Sequence, residues 1–198
     1  EVNSLLDLVK KNAFYGVLLV LLLLVILLDN QVAFWTALGI PASIFMAFMV
    51  LPSMGVNINF ISLLGIILVL GMVVDDAIVV SENIYKYKEQ GLSGEEAAIK
   101  GTKEVAAPLL ATILTTVIAF APLAFMSGML GKFMVQMPIV VNCVLIASLI
   151  ECLFMLPVHI AYTTMPKRQF LSKRIFMYLQ NLYQYSVEFS LKPKLRVM

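Results

Sequence analysis

Two adjacent carboxylates, Asp75 and Asp76, stand inside the run Gly71-Met72-Val73-Val74-Asp75-Asp76-Ala77-Ile78-Val79-Val80-Ser81-Glu82-Asn83. The apolar stretch around them starts near Phe60 and meets its next charge at Glu82, long enough to cross a bilayer. An ionisable side chain at membrane depth costs about 3 kcal/mol or more, and it normally faces a bundle interior or a water-filled path, paired or protonated. The chemistry that fits these acids is the binding and release of protons or ions. At about 1.5 Å per residue, Asp75 lies roughly 22 Å from Phe60 and about 10 Å from Glu82, toward the Glu82 end of the span. Helix neighbours diverge by about 100°, so the two acids cannot meet one partner along one direction, but they can line two sides of one polar pocket. Side by side in a low dielectric, at least one is expected to hold a proton near neutral pH unless a cation is close, and the pair is expected to titrate as a unit. None of the 14 Lys and Arg residues lies in mid-span. Either the acids hold protons, or their cation stands on a helix outside this chain.

Other polar residues are accessory candidates, each with a plainer alternative. Glu82, seven residues after Asp75 and so on the same face, either guides protons between the cytoplasm and the pair or is a solvated acid at a helix end. Thr115 and Thr116 either reach the aspartates or a neighbouring helix, or bond back to their own backbone. Glu151 is a separate mid-span acid that either joins the polar interior or is a neutral, hydrogen-bonded packing residue. His159 follows a bend expected at Pro157 and reads as interfacial, with a proton relay as the alternative. Cys143 and Cys152 read as buried small hydrophobes. Their spacing favours neither a disulfide nor a metal site.

The elements that position these residues are membrane helices. Sixty-one per cent hydrophobic and 13% charged residues in a chain of 198 exclude an ordinary soluble domain. Lys10-Lys11 before a leucine-rich run imitates a signal peptide, but no small-residue cleavage site follows. The expected fold is all-α: a bundle over residues 1–165 with five spans at about 8–28, 34–51, 60–84, 108–126 and 135–162. The Asp75 helix is expected to continue past the membrane through Tyr85 and Tyr87. Phe34 and Trp35 mark the second span's entry, and Gly39, Ser43 and Ala47 recur every four residues, with Pro41 close to the same stripe. Small residues at that spacing let another helix approach. Ser93-Gly94-Glu95-Glu96 is a capping box opening a short surface helix, with Ala97, Ala98 and Ile99 on its buried side. The fourth span, beginning near Pro108, has its own stripe at Ala111, Thr115 and Ala119. Residues 168–190 form an amphipathic helix lying in the interface, with Leu171, Ile175, Leu179 and Leu182 on its apolar face. Residues 191–198 read as the approach to a truncated further segment. Starting at Glu1, the chain is expected to be a piece of a longer one.

Basic residues set the orientation. With the C-terminal end of the Asp75 helix inside, Lys86, Lys88, Lys100, Lys103, Lys167, Arg168, Lys173, Arg174, Lys192, Lys194 and Arg196 are cytoplasmic, against Lys10, Lys11 and Lys132 outside. The N-terminus is then external and the amphipathic helix cytoplasmic.

The stretch from Gly71 to Asn83 resembles the fourth transmembrane helix of the resistance-nodulation-division (RND) transporters, in particular the drug-efflux subclass that exports hydrophobic and amphiphilic compounds. Gly91-Leu92-Ser93, Glu96-Ala97, Pro122-Leu123-Ala124-Phe125, the glycine-containing turn after it and Leu156-Pro157 extend the resemblance over most of the chain. Residues 151–159 fit the drug-pump pattern less closely. The five spans would be the second to sixth of the family's twelve. The resemblance implies a non-enzymatic inner-membrane transporter in which Asp75 and Asp76 bind protons and drive export of organic compounds. It implies no cofactor beyond the coupling proton and no nucleic acid. Its implied partners are membrane lipid, the remaining half of the transporter with a lysine facing the acids, and a homotrimer working with a periplasmic adaptor and an outer-membrane channel.

Three other readings compete. An intramembrane aspartyl protease needs two acids facing each other across a water, which neighbours on one helix cannot do, and it is rejected. A protein-export or lipid-transport relative of the same superfamily would use the same proton chemistry for another cargo. A structural or sensing module would use the acids only as hydrogen-bonding groups.

Overall fold

A computed structural model of the chain describes residues 2–27, 30–57, 59–164 and 170–191. Eight α-helices follow one another: α1 Val2–Leu27, α2 Asn30–Val50, α3 Phe60–Glu89, α4 Gly94–Ala124, α5 Gly128–Met134, α6 Gln136–Ile150, α7 Leu156–Ala161 and α8 Phe170–Leu191. A 3-10 turn at Leu51–Met54 extends α2, and a π-helical turn at Glu151–Met155 joins α6 to α7. No strand occurs among the described residues, so the all-α reading holds. Four helical segments are long and apolar enough to cross a membrane, Asn30–Met54, Phe60–Glu89, Gly94–Ala124 and Gly128–Ala161, and α1 carries a shorter apolar stretch at Phe14–Ile26.

The chain divides into two units, residues 1–164 and 165–198. In the first, α3 is central and packs against α2, α4 and α6. Its buried Val69, Val73, Val80 and Ile84 meet a core that includes Val140, Val141, Val144 and Leu145 of α6 and Leu156 and Ile160 of α7. In the second, α8 is a 22-residue helix on which Tyr178, Leu182, Tyr183 and Tyr185 are exposed. Leu171, Ile175 and Leu179 of its expected apolar face lie outside the described side chains, and residues 192–198 lie outside the described residues.

Local chemistry fixes where α3 begins and ends. The Asn59 side chain accepts from the backbone N–H of Ile61 and Ser62, both at 3.0 Å, while the Ser62 hydroxyl accepts from Asn59 N–H at 2.7 Å, closing a capping box. The Asn59 amide also donates to Gln136, tying the start of α3 to the start of α6. At the far end Gly91, at φ 90°, takes the left-handed conformation that stops the helix. Thirty residues make α3 about 45 Å long against roughly 30 Å of hydrocarbon, so its last turns project beyond it, as expected for Tyr85 and Tyr87.

The structure departs from expectation at three places. The short surface helix and the fourth span are one continuous helix of 31 residues, α4, with Pro108 inside it. The Ser93–Glu96 capping box starts this helix and no residue within it has a positive φ, so Pro108 removes one backbone bond without ending it. Ile99 is exposed, whereas Ala97 and Ala98 are buried as expected. It stands about 100° past Ala98 and lines a groove with Leu153, Pro157 and Tyr162. The third departure is in the second span, where Pro41 is exposed while Gly39, Ser43 and Ala47 form the buried stripe.

The crossing of α3 and α4 depends on a missing side chain. A methyl at Gly101 would fall 2.8 Å from Ile84 Cα and 2.9 Å from Ile84 N, which is backbone and cannot rotate away. Gly101→Ala is therefore expected to force the two helices apart and destabilise the full-length protein by about 1–3 kcal/mol, measured as a lower thermal midpoint in detergent. A wild-type midpoint would contradict this crossing.

Candidate functional site

The central helix separates the two aspartates by face. Asp76 is turned into the bundle with Val73, Ala77 and Val80 and is only 7% exposed, while Asp75 lies on the outer face with Leu64, Leu68, Gly71, Val79 and Glu82, all exposed in this chain. The divergence expected of helix neighbours is thus realised, and the pair lines two sides of one helix. Asp76 Oδ2 is buried with no hydrogen-bond partner among the described residues. A lone buried carboxyl oxygen is uncommon and calls for a proton, a water or a missing partner. Glu82 shares the outer face with Asp75, as its spacing requires.

The threonines do not reach the pair. Thr115 donates to Ala111 O at 2.7 Å and Thr116 to Thr112 O at 3.0 Å, so both hydroxyls are spent on their own helix. The stripe at Ala111, Thr115 and Ala119 faces outward.

Glu151, by contrast, lies inside, 3% exposed, at the start of the π turn. The turn has a local cause. In an α-helix the ring of Pro157 would press on the carbonyl of Leu153 and leave it without its donor, and a wider turn just before the proline relieves both problems. Glu151 Oε2 accepts from the Cys152 thiol at 3.4 Å, and Cys152 lies 3.8 Å from the hydroxyl of Ser148. On the facing helix, Gly39 lies directly against the Glu151 carboxyl and Ser43 bonds back to Gly39 O at 2.9 Å. Toward the end of α7 the ring of His159 stacks on Trp35, 4.1 Å between centroids and 3° from parallel. Both cysteines are free thiols, and Cys143 donates to the sulfur of Met54 at 3.4 Å.

The projecting end of α3 is fastened to α4 by polar contacts. Asn83 donates to Gly101 O at 2.8 Å and to Glu104 Oε2 at 2.9 Å, and the Tyr87 hydroxyl donates to the same oxygen at 2.8 Å. These donors, Asn83 first and then Tyr87, hold the exposed Glu104 carboxyl below the usual carboxylate range. Their contribution to stability is present at neutral pH and is lost as the pH falls through that lowered value.

Sequence reasoning missed a further polar residue, Lys88. The charge count places it only on the cytoplasmic side, whereas it is buried and donates to the carbonyls of Ile160 at 2.6 Å, Ala161 at 3.3 Å and Thr163 at 2.9 Å, and to the Thr163 hydroxyl at 3.2 Å. A cation on the last carbonyls of α7 is the favoured arrangement at a helix C-terminus. Thr36, fully buried with no partner for its hydroxyl among the described residues, was also not singled out.

Comparison with known proteins fits this architecture. The AcrB/AcrD/AcrF family matches residues 1–198. The chain is 30% identical over 166 residues to the multidrug resistance protein MdtC of Pantoea ananatis (strain AJ13355), covering 83% of this chain and 16% of that one. It is 32% identical over 169 residues to MdtC of Proteus mirabilis (strain HI4320), covering 82% and 16%. To the swarming motility protein SwrC of Bacillus subtilis (strain 168) it is 29% identical over 151 residues, covering 75% and 14%. The chain spans about a sixth of the length of these curated relatives.

Proposed function

This chain belongs to the AcrB/AcrD/AcrF family of RND transporters, and from that premise we propose that it is the proton-relay part of an exporter driven by the proton gradient. Asp75 and Asp76 bind and release the coupling protons, with Glu82 as an accessory on the Asp75 face. The observation that carries this reading is the divided pair. Asp76 is buried with an unpartnered oxygen, while Asp75 opens on an uncovered face of a membrane-depth helix. A bare carboxylate on that face would cost about 3 kcal/mol or more. The rest of the transporter covers it and brings the cation this chain lacks at that depth. A pair holding a proton is tolerated as it stands. A pair that has lost its proton needs that cation or water, and the difference between the two states moves the helices.

The substrates are organic compounds such as drugs, a reading supported by the multidrug resistance relatives. The complete protein lies in the inner membrane with the chain's N-terminus periplasmic and α8 cytoplasmic, in a homotrimer with a periplasmic adaptor and an outer-membrane channel. Protons are the only coupling species it needs, and it has no enzymatic step. The test uses the full-length protein in vesicles acidified inside and loaded with a pH-sensitive dye. Addition of substrate is expected to discharge the gradient. Substrate movement that leaves the proton gradient intact, or follows sodium instead, overturns the proposal.

A further inference from the structure

The bundle holds another buried carboxyl that the aspartate pair does not account for. Between Gln136 and Ala161, Glu151 is the sole Asp, Glu, Lys or Arg. Its side chain rests on bare backbone: a methyl at Gly39 would fall 2.6 Å from Glu151 Cδ and 2.8 Å from Oε2, so any larger residue at this point of α2 displaces the carboxyl. The partner it has is the Cys152 thiol, a weak donor, where a buried carboxylate normally draws on two or three strong ones. The groups facing it do not supply a charge of the right sign. α2 has no charged residue, α6 has none and only Cys143 that titrates, α3 carries Asp76, α4 sets Glu95 and Lys103 in the groove lined by Leu153 and Pro157, and α7 carries His159, whose ring is stacked on Trp35. Asp76 is itself buried with one oxygen unpartnered among the described residues.

We propose that Glu151 is a second proton-binding site, distinct from the aspartate pair, whose protonation state is read by the packing of α2 against the π turn. The inference rests on the proton-coupled reading above. A neutral glutamic acid fits against Gly39 with no cation nearby. An ionised one has the weak Cys152 thiol as its donor, so α2 must move off the turn to admit water or a stronger one. A π turn suits this use, since its widened backbone is a common feature of functional sites in helices.

The experiment uses the full-length transporter labelled with 13C-glutamate and followed by infrared spectroscopy through a pH titration. The expected result is a protonated-glutamic-acid carbonyl band that responds to pH, survives Asp75→Asn and Asp76→Asn, moves in Gly39→Ala and disappears in Glu151→Gln. In vesicles, Glu151→Gln is expected to lose one limb of the pH profile of transport. A Glu151→Gln profile that superimposes on the wild type's overturns the inference. So does the absence of a pH-responsive glutamic-acid band in the labelled wild type, which decides the matter even where the variant does not fold. Proton flux that persists in the two aspartate variants would count against the pair, and the glutamate band would still decide for Glu151.

Discussion

Asp75→Asn and Asp76→Asn, made singly in the full-length transporter, are each expected to reduce substrate-driven proton movement to the level of vesicles without protein, while the folded protein is retained. The two halves of this expectation have one physical cause. Asparagine keeps the shape of the side chain and removes the proton site, so the cycle of charging and neutralising at this depth cannot occur. Removing an ionisable group from membrane depth also removes a cost of about 3 kcal/mol, so stability is expected to stay level or rise. Function and stability then move in opposite directions, which a structural acid cannot produce. Asp76 makes the sharper test because this chain already buries it, 7% exposed with one oxygen unpartnered among the described residues. Asp75 tests the face left exposed in this chain. The measurement pairs dye-reported proton flux with the thermal midpoint in detergent. Flux retained in both variants would favour the structural or sensing module, in which the acids only bond to neighbouring helices.

What the sequence could reveal followed from range. The all-α bundle of apolar helices was legible because length and hydropathy are properties of one segment, and the 100° divergence of Asp75 and Asp76 was legible because it is a property of one helix. The buried stripe of Gly39, Ser43 and Ala47 was also readable as a packing face. That it receives Glu151 was not, because 112 positions separate Gly39 from the carboxyl laid against it. The π turn had a local signal in Pro157, but whether a proline bends, breaks or widens a helix depends on what packs around it. Pro108 shows the other outcome, a helix that runs on. The threonines show how the bland alternative can prevail, since a hydroxyl on a helix always has its own backbone in reach.

Lys88→Met is expected to loosen the end of α7 without disturbing the aspartates. The ammonium donates to three carbonyls and one hydroxyl at the C-terminus of that helix, and Thr163 in turn donates to Ile160 O at 2.7 Å. Methionine keeps the length and apolar body of the side chain but has no donor, so the carbonyls lose their cap while the packing is conserved. Hydrogen bonds from a charged donor contribute roughly 1.5–3 kcal/mol net and a cation at a helix C-terminus up to about 2, overlapping in the same contacts, so a loss of about 2–3 kcal/mol is expected. Every 1.4 kcal/mol is about tenfold in an opening equilibrium, so backbone amides around residues 156–164 should exchange roughly 30- to 100-fold faster. Hydrogen exchange read by mass spectrometry on the full-length protein measures this locally. Lys86→Met is the control: Lys86 is exposed and its contact with Glu104 is a loose 3.9 Å, worth at most about 1 kcal/mol. Equal exchange in the two variants would mean that Lys88 is another surface cation. A selective effect would mean that the far end of the aspartate helix holds the last turn of the segment carrying Glu151.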